Sequence, residues 1–395
     1  RRYALPEEEY LAWRSSVTTR EKDSITVAAI DIVGADRVNP EYVRSKMESM
    51  PGEPLTQEDL TADTERIFAM GDFEQVVYRL AGNPERPTLE IELQEKSWGP
   101  NFLSIDLGLY ASSGGETSFV LRGEHQRTWI NSRGGEWQNV VQFGRTSKLS
   151  SSIYQPLDKS HRFFIQPGVH ATRSFEDIYI DGDRIARFDL TDVYANFDTG
   201  FAIGTRAELR GGIRYGTVDA SADTGALSLL GFSDITDAAW TGNFVYDSRD
   251  APFNPTRGMI TRIRYLHADD SLGSDVSYEQ LEGGIIKAVP LRGNVVYLAA
   301  MGGTNLDSNL PSYRQFRLGG PRSFSGFEVA ELRGQEYWTA SAVYLHKLAD
   351  LQSLLGQAFY GGVRLHAGDM RDRLVGILDC TISGASLVGG GRTPL

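Results

Sequence analysis

Cysteine is almost absent from this chain. Cys380 stands alone among 395 residues, so no internal disulfide can form, and no metal-ligand neighbour accompanies it. Positive charge is in deficit as well: 40 Lys and Arg face 52 Asp and Glu, a net charge of -12. No basic stripe is available to neutralise phosphates, which sets nucleic acid aside as a partner. No run of about eighteen apolar residues occurs, which excludes a membrane-spanning helix. Any membrane crossing would have to use a closed barrel of strands. A Gly-x-Ser-x-Gly elbow, a phosphate-binding loop, HExxH and CxxC are all missing. The six histidines (His125, His161, His170, His267, His346 and His366) are scattered without ligand spacing. The sequence therefore calls for no cofactor and no metal, and this stretch of chain reads as non-enzymatic.

What is abundant is glycine, at 42 residues, with 17 Tyr and 18 Phe. Tight turns and interfacial aromatic girdles give outer-membrane barrels this profile. Hydrophobic content of 41% and a mean hydropathy of -0.30 suit a soluble protein, and equally a barrel that turns half of every strand to a polar lumen. The chain opens at Arg1-Arg2-Tyr3 without methionine or an apolar signal segment, and closes in a Gly389-Gly390-Gly391 stretch that reads as mid-strand. It is expected to be a mature or excised fragment.

Residues 1–23 are charged and irregular and read as a linker or short helix joined to an upstream domain. Residues 24–97 have the periodicity of a small α/β unit ordered strand, helix, helix, strand, strand. Ile25, Val27, Ile30, Ile32 and Val33 make a first strand, and Asn39-Pro40 opens a helix. Thr56-Gln57-Glu58-Asp59 resembles the capping-box start of a second helix, which Gly71 ends. Residues 73–78 and 89–93 supply two more strands.

From Trp98 onward the period is two. Leu103, Ile105, Leu107 and Leu109 alternate with Ser104, Asp106 and Gly108; Leu209, Ile213 and Tyr215 alternate with Arg206, Arg210 and Arg214. Several segments exceed ten residues (116–130, 161–180, 184–203, 205–219 and 274–290), long enough to cross a bilayer at a tilt. About fourteen strands, joined in sequence by hairpins, fit between Phe102 and Leu395. An open sheet of that size would leave long unprotected edges, so closure into an all-β transmembrane barrel is expected over 98–395.

Two stretches break the strand pattern. Residues 304–335 are irregular and contain Gly319, Gly320, Arg322, Phe324, Ser325, Gly326 and Phe327. Glycines favour a tight loop, while the phenylalanines would be poorly solvated outside, so the loop is expected to fold back into the barrel as a plug or latch. Asp247, Arg249, Asp250, Pro255 and Gly258 punctuate a strand end, a Pro-rich turn and a strand start.

Taken in this order, the α/β unit, the "DSRDAPFNPTRG" hairpin and the "RLGGPRSFSGF" loop resemble the superfamily of outer-membrane assembly and translocation proteins that includes BamA and TamA. The α/β unit looks like a POTRA domain. Many members carry Arg-Gly-Tyr or Arg-Gly-Phe at the loop tip, the arginine meeting an acid on the lumen wall. Here Ser325 precedes Gly326-Phe327, and the matching wall strand offers Arg364, His366 and Asp369, with Arg322 or Asp369 as substitutes for the missing pair. One POTRA, a Ser-Gly-Phe tip and the N-terminal segment look like the patatin-like type V autotransporters. That resemblance implies a sixteen-stranded barrel with its last hairpin missing from this chain, in the Gram-negative outer membrane, with the POTRA domain in the periplasm. It further implies outer-membrane lipid and an N-terminal passenger, a patatin-like phospholipase, as partners, and pairing into homodimers. Rival readings are an assembly factor that inserts other barrels and a lipase whose barrel is only an anchor.

Overall fold

The computed structural model describes residues 24–111, 117–180, 183–225, 234–251, 254–320, 323–324, 326–350, 358–372 and 382–392. The expected linker at 1–23 lies outside them, as do Arg322, Ser325 and the closing hairpin of a sixteen-stranded barrel. The chain divides into two compact units, with the boundary between Pro100 and Asn101.

In the first unit, β1 (Ile25–Thr26) pairs with β3 (Pro54–Leu55). β2 (Ala29–Val33), β5 (Arg86–Glu95) and β4 (Phe73–Asn83) form a sheet in that order, β2 parallel and β4 antiparallel to β5. The single first strand expected over 25–33 is thus two. Its opening residues pair with β3, and the backbone then turns at Ala28, whose N–H reaches Pro87 O, to join β5. Helix α1 (Pro40–Lys46) starts where the Asn39 side chain accepts the Glu41 N–H and Pro40 occupies a position with no donor to lose. Helix α2 (Gln57–Phe68) starts in a complete capping box between Thr56 and Asp59. Val43, Ile67, Phe73, Leu89 and Ile91 fill the core. Asp63, buried on α2, accepts the Glu48 and Ser49 N–H groups at 2.8 and 3.0 Å and so ties the helix to the segment after α1.

The second unit is one meandering antiparallel sheet. Its strands are β6 (Asn101–Ala111), β7 (Thr117–Arg127), β8 (Glu136–Gly144), β9 (Thr146–Pro156), β10 (Phe163–Ile180), β11 (Asp183–Ile203) and β12 (Ala207–Thr224). β13 (Asp234–Asp247), β14 (Gly258–Ala268), β15 (Tyr278–Leu291), β16 (Asn294–Thr304), β19 (Glu336–Asp350), β20 (Ala358–Arg371) and β21 (Ile382–Arg392) complete it. These fourteen strands follow chain order, and β16 pairs directly with β19. The intervening segment carries its own two-stranded ribbon, β17 (Phe316–Leu318) with β18 (Leu332–Gly334).

Alternation sorts the side chains. Leu103, Ile105, Leu107 and Leu109 are between 66% and 80% exposed on the outer wall. On β12, Leu209, Ile213 and Tyr215 face out, while Arg214 and Val218 are buried on the lumen side. A soluble sandwich would bury the apolar set. This sheet exposes it and keeps its charged set inside, as a membrane barrel requires.

Candidate functional site

The lumen site is built by the segment between β16 and β19. Phe316, Leu318 and Leu332 of the β17–β18 ribbon pack with Leu310 and Phe324 against Ala239, Leu266, Ala268, Tyr278 and Met370 of the barrel wall. Phe324 is 1% exposed, and Phe327 packs on the edge of the same cluster. The apolar residues of an otherwise polar loop are thereby taken out of water, which fixes the loop inside the barrel.

Two glycines make the tip possible. Gly319 has φ +124°, and a Cβ there would stand 2.0 Å from Glu328 O. Gly320, also at positive φ, donates its N–H to Phe327 O at 2.9 Å and closes the tip. Across from it, a Cβ on Gly368 would stand 2.8 Å from Phe324 Cζ, so glycine on β20 leaves the hollow that the ring enters. Beside that hollow the His366 ring meets Phe324 edge-on, with centroids 4.7 Å apart and planes at 77°.

Of the wall residues named from sequence, Arg364 and His366 share the lumen face of β20 with Gly368 and Met370. Asp369 lies on the opposite face with Val363 and Leu365, and its Oδ1 accepts the Met370 N–H. The residue opposite the tip is thus a histidine edge, with no carboxylate among the described residues meeting Phe324 or Phe327.

The carboxylates lie lower in the loop. Glu176 on β10, 3% exposed, pairs with both Arg317 and Arg333, the cross-strand partners of the ribbon. Asp237 on β13, fully buried, accepts from Tyr313 Oη at 2.8 Å, Tyr278 Oη at 3.0 Å and Arg314 Nη2 at 2.8 Å. Arg314 also lies 3.5 Å from Asp192, which pairs with Arg214 at 2.9 Å. Gln280 Nε2 holds Arg314 O at 2.8 Å, and Gln335 holds both the N–H and the carbonyl of Leu310. Buried charge is tolerated when it is paired and hydrogen-bonded, and unpairing one partner is strongly unfavourable. Glu176 and Asp237 therefore fix the register of the loop, and sequence reading had named neither.

The Pro-rich hairpin is a separate, self-contained turn. Arg249 chelates Asp247 through Nε and Nη2 at 2.9 and 2.6 Å. Asp250 accepts the Thr256 N–H at 2.8 Å, and Tyr297 Oη on β16 donates to Pro255 O at 2.8 Å. Burial works to raise the Asp250 carboxyl, but the Thr256 hydroxyl and the Arg257 and Thr256 N–H groups outweigh it and hold the pKa below the ordinary value. Gly258 has φ +94°, and a Cβ would stand 2.2 Å from Ser248 O. The motif closes the turn between β13 and β14 and does not touch the loop tip.

In the first unit, Glu95 is the charged anchor. Its Oε1 accepts the Arg37 and Val38 N–H groups at 2.8 and 2.9 Å, and its Oε2 meets Arg37 Nε. Burial opposes ionisation, yet these donors prevail and lower the pKa.

Comparison with known proteins agrees with this architecture. Residues 131–363 match the Omp85 superfamily domain, and residues 25–96 match POTRA, the surface antigen variable number repeat. BamA from Haemophilus ducreyi lacking POTRA domains 1-3 is similar in structure at TM-score 0.63 and 15% identity, covering 87% of this chain and 71% of that one. CdiB from Escherichia coli gives 0.62 and 13%, covering 93% and 70%; CdiB from Acinetobacter baumannii gives 0.60 and 10%, covering 94% and 68%. With more than half of its length matched, the chain belongs to the Omp85 superfamily, an outer-membrane β-barrel of translocator or assembly type with a periplasmic POTRA domain.

Proposed function

We propose that this chain is the translocator and anchor of a patatin-like type V autotransporter, carrying its own N-terminal passenger, a phospholipase domain, to the cell surface. The observation that carries the reading is the plugged lumen. A loop held by one apolar tip and two carboxylate anchors is a discrete latch, which a single client can displace. Glu176 on β10 and Asp237 on β13 bind the latch from one sector of the wall, and unpairing either carboxylate would leave buried arginine charge uncompensated. The POTRA unit, residues 25–96, supports a role in handling an extended client chain. Its strand β4 has one edge without a partner among the described residues, a template on which an extended passenger segment can add a strand. The outward apolar wall contacts outer-membrane lipid, and pairs of barrels form homodimers through that wall.

The test replaces the Phe324 to Phe327 tip with Gly and Ser in the full-length protein. Surface protease accessibility of the passenger should fall, or ion conductance rise, while heat-modifiable gel mobility still shows an inserted barrel. Unchanged delivery and conductance would contradict the latch. Pulldown that recovers many unrelated barrel proteins would favour the assembly reading.

A further inference from the structure

On the lumen side, β13, β14, β15 and β16 leave a cavity of about 190 Å³ in the barrel wall. Its side chains come from two neighbouring cross-strand ranks on the face that also carries Asp237 and Ala239. One rank runs Asn243–Arg264–Glu282 and the other Val245–Arg262–Gly284–Met301. Gly284 contributes no side chain, and a Cβ there would stand 2.9 Å from Met301 Cγ, so the floor between Arg262 and Met301 is bare backbone. Tyr337 of β19 closes one side. Its hydroxyl donates to Glu282 Oε1 at 2.9 Å, and its ring lies 5.0 Å from that of Phe316 in the ribbon of the loop. The cavity therefore abuts the latch.

Its two arginines are loosely held. Arg264 stands 3.8 Å from one oxygen of Glu282, whose other oxygen accepts the Tyr337 hydroxyl, and the Arg264 side chain stays 63% exposed. Arg262 is exposed to the lumen and, among the described residues, donates no hydrogen bond and forms no ion pair. The carboxylate whose field it shares, Asp247, is already chelated by Arg249 through Nε and Nη2 at 2.9 and 2.6 Å. Arg210, opposite Asn243 on β12, is by contrast held by Glu208 and Gln166. Two guanidinium groups thus face the cavity against one carboxylate, in a chain whose net charge is -12.

At about 190 Å³ the cavity is smaller than the roughly 300–1,000 Å³ of a small-molecule pocket, and it suits a single side chain. We infer that it is the docking site for an acidic side chain of an extended client segment, the carboxylate lying between Arg262 and Arg264 and its stem against Ile286 and Met301. The planar fork of arginine suits the two oxygens of a carboxylate. This inference rests on the translocator reading and adds the chemistry of the client, a segment bearing Asp or Glu rather than Lys or Arg. Docked there, the segment lies against Tyr337 and so beside the ribbon that it displaces.

The experiment follows the fluorescence anisotropy of labelled hexaglutamate titrated with full-length protein in mild detergent at low salt. Wild type should bind the peptide, and R262Q/R264Q should bind it about tenfold more weakly while keeping heat-modifiable mobility. R262Q alone should show a smaller loss in the same direction, which keeps the test open if the double variant folds poorly. R262K/R264K should recover part of the binding. Hexaglutamine and hexalysine should not bind. R257Q, on the Pro-rich turn where the side chain is 78% exposed, should bind like wild type. Failure of wild type to bind hexaglutamate, equal binding by wild type and R262Q, equal binding of hexaglutamine, or an equal loss in R257Q would each overturn the site. Because peptide binding and not surface delivery is read, a tip replacement that leaves delivery unchanged contradicts the latch alone, and equal binding by R262Q contradicts this site alone.

Discussion

Glu176 carries two arginines of the loop on one carboxylate, and 141 residues separate it from Arg317. Replacing it by Gln leaves Arg317 and Arg333 without their counter-charge, at a cost of about 3 kcal/mol to the docked loop. The expected outcome for E176Q in planar bilayers is larger or more frequent conductance steps than wild type, with membrane insertion intact; wild-type conductance would remove Glu176 from the latch. The same residue shows why the site was only partly legible. Gly319, Gly320, Phe324 and Phe327 stood out because glycines and aromatics are conspicuous in a loop. Glu176 and Asp237 did not, because a charge on the lumen face of a strand looks like every other charge lining a wet barrel. Ser325 in place of arginine signalled that the tip pair had changed. Nothing in the sequence said that the carboxylates had moved to the loop's base. The one local hint was the Glu176-Asp177 doublet: adjacent strand residues point to opposite faces, so one of the two acids serves the lumen and the other the outer wall.

Elements were read best where local rules govern them. Asn39-Pro40 and the Thr56 capping box set the helix starts of the first unit because caps are short-range interactions. The split of its first strand was invisible, because it depends on partners at Pro54–Leu55 and Arg86–Glu95 that lie far along the chain. Glu95 ties this unit together, and its pKa lies below the ordinary 4.5. A depressed carboxyl contributes stability that is present above its unfolded pKa and lost as pH falls through the folded value. Hydrogen exchange at the Arg37 and Val38 amides of the full chain should therefore show undiminished protection from neutral pH down to about 4.5 and a loss of it below. E95Q should lack protection already at neutral pH. Protection that is independent of pH and of E95Q would contradict the assignment.

For the whole molecule, the period-two alternation from Trp98 onward already implied a barrel, since one face was apolar over strands too long for a sandwich. The fold turns on which way that face points, and the latch on what fills the interior. Both are tested by an environment-sensitive fluorophore placed in turn at positions 107, 210 and 324 of a C380A background, in vesicles containing spin-labelled lipid. Strong quenching at 107 with little at 210 and 324 is the result predicted for an outward apolar wall around a loop-filled lumen. Quenching at 324 and protection at 107 would contradict it.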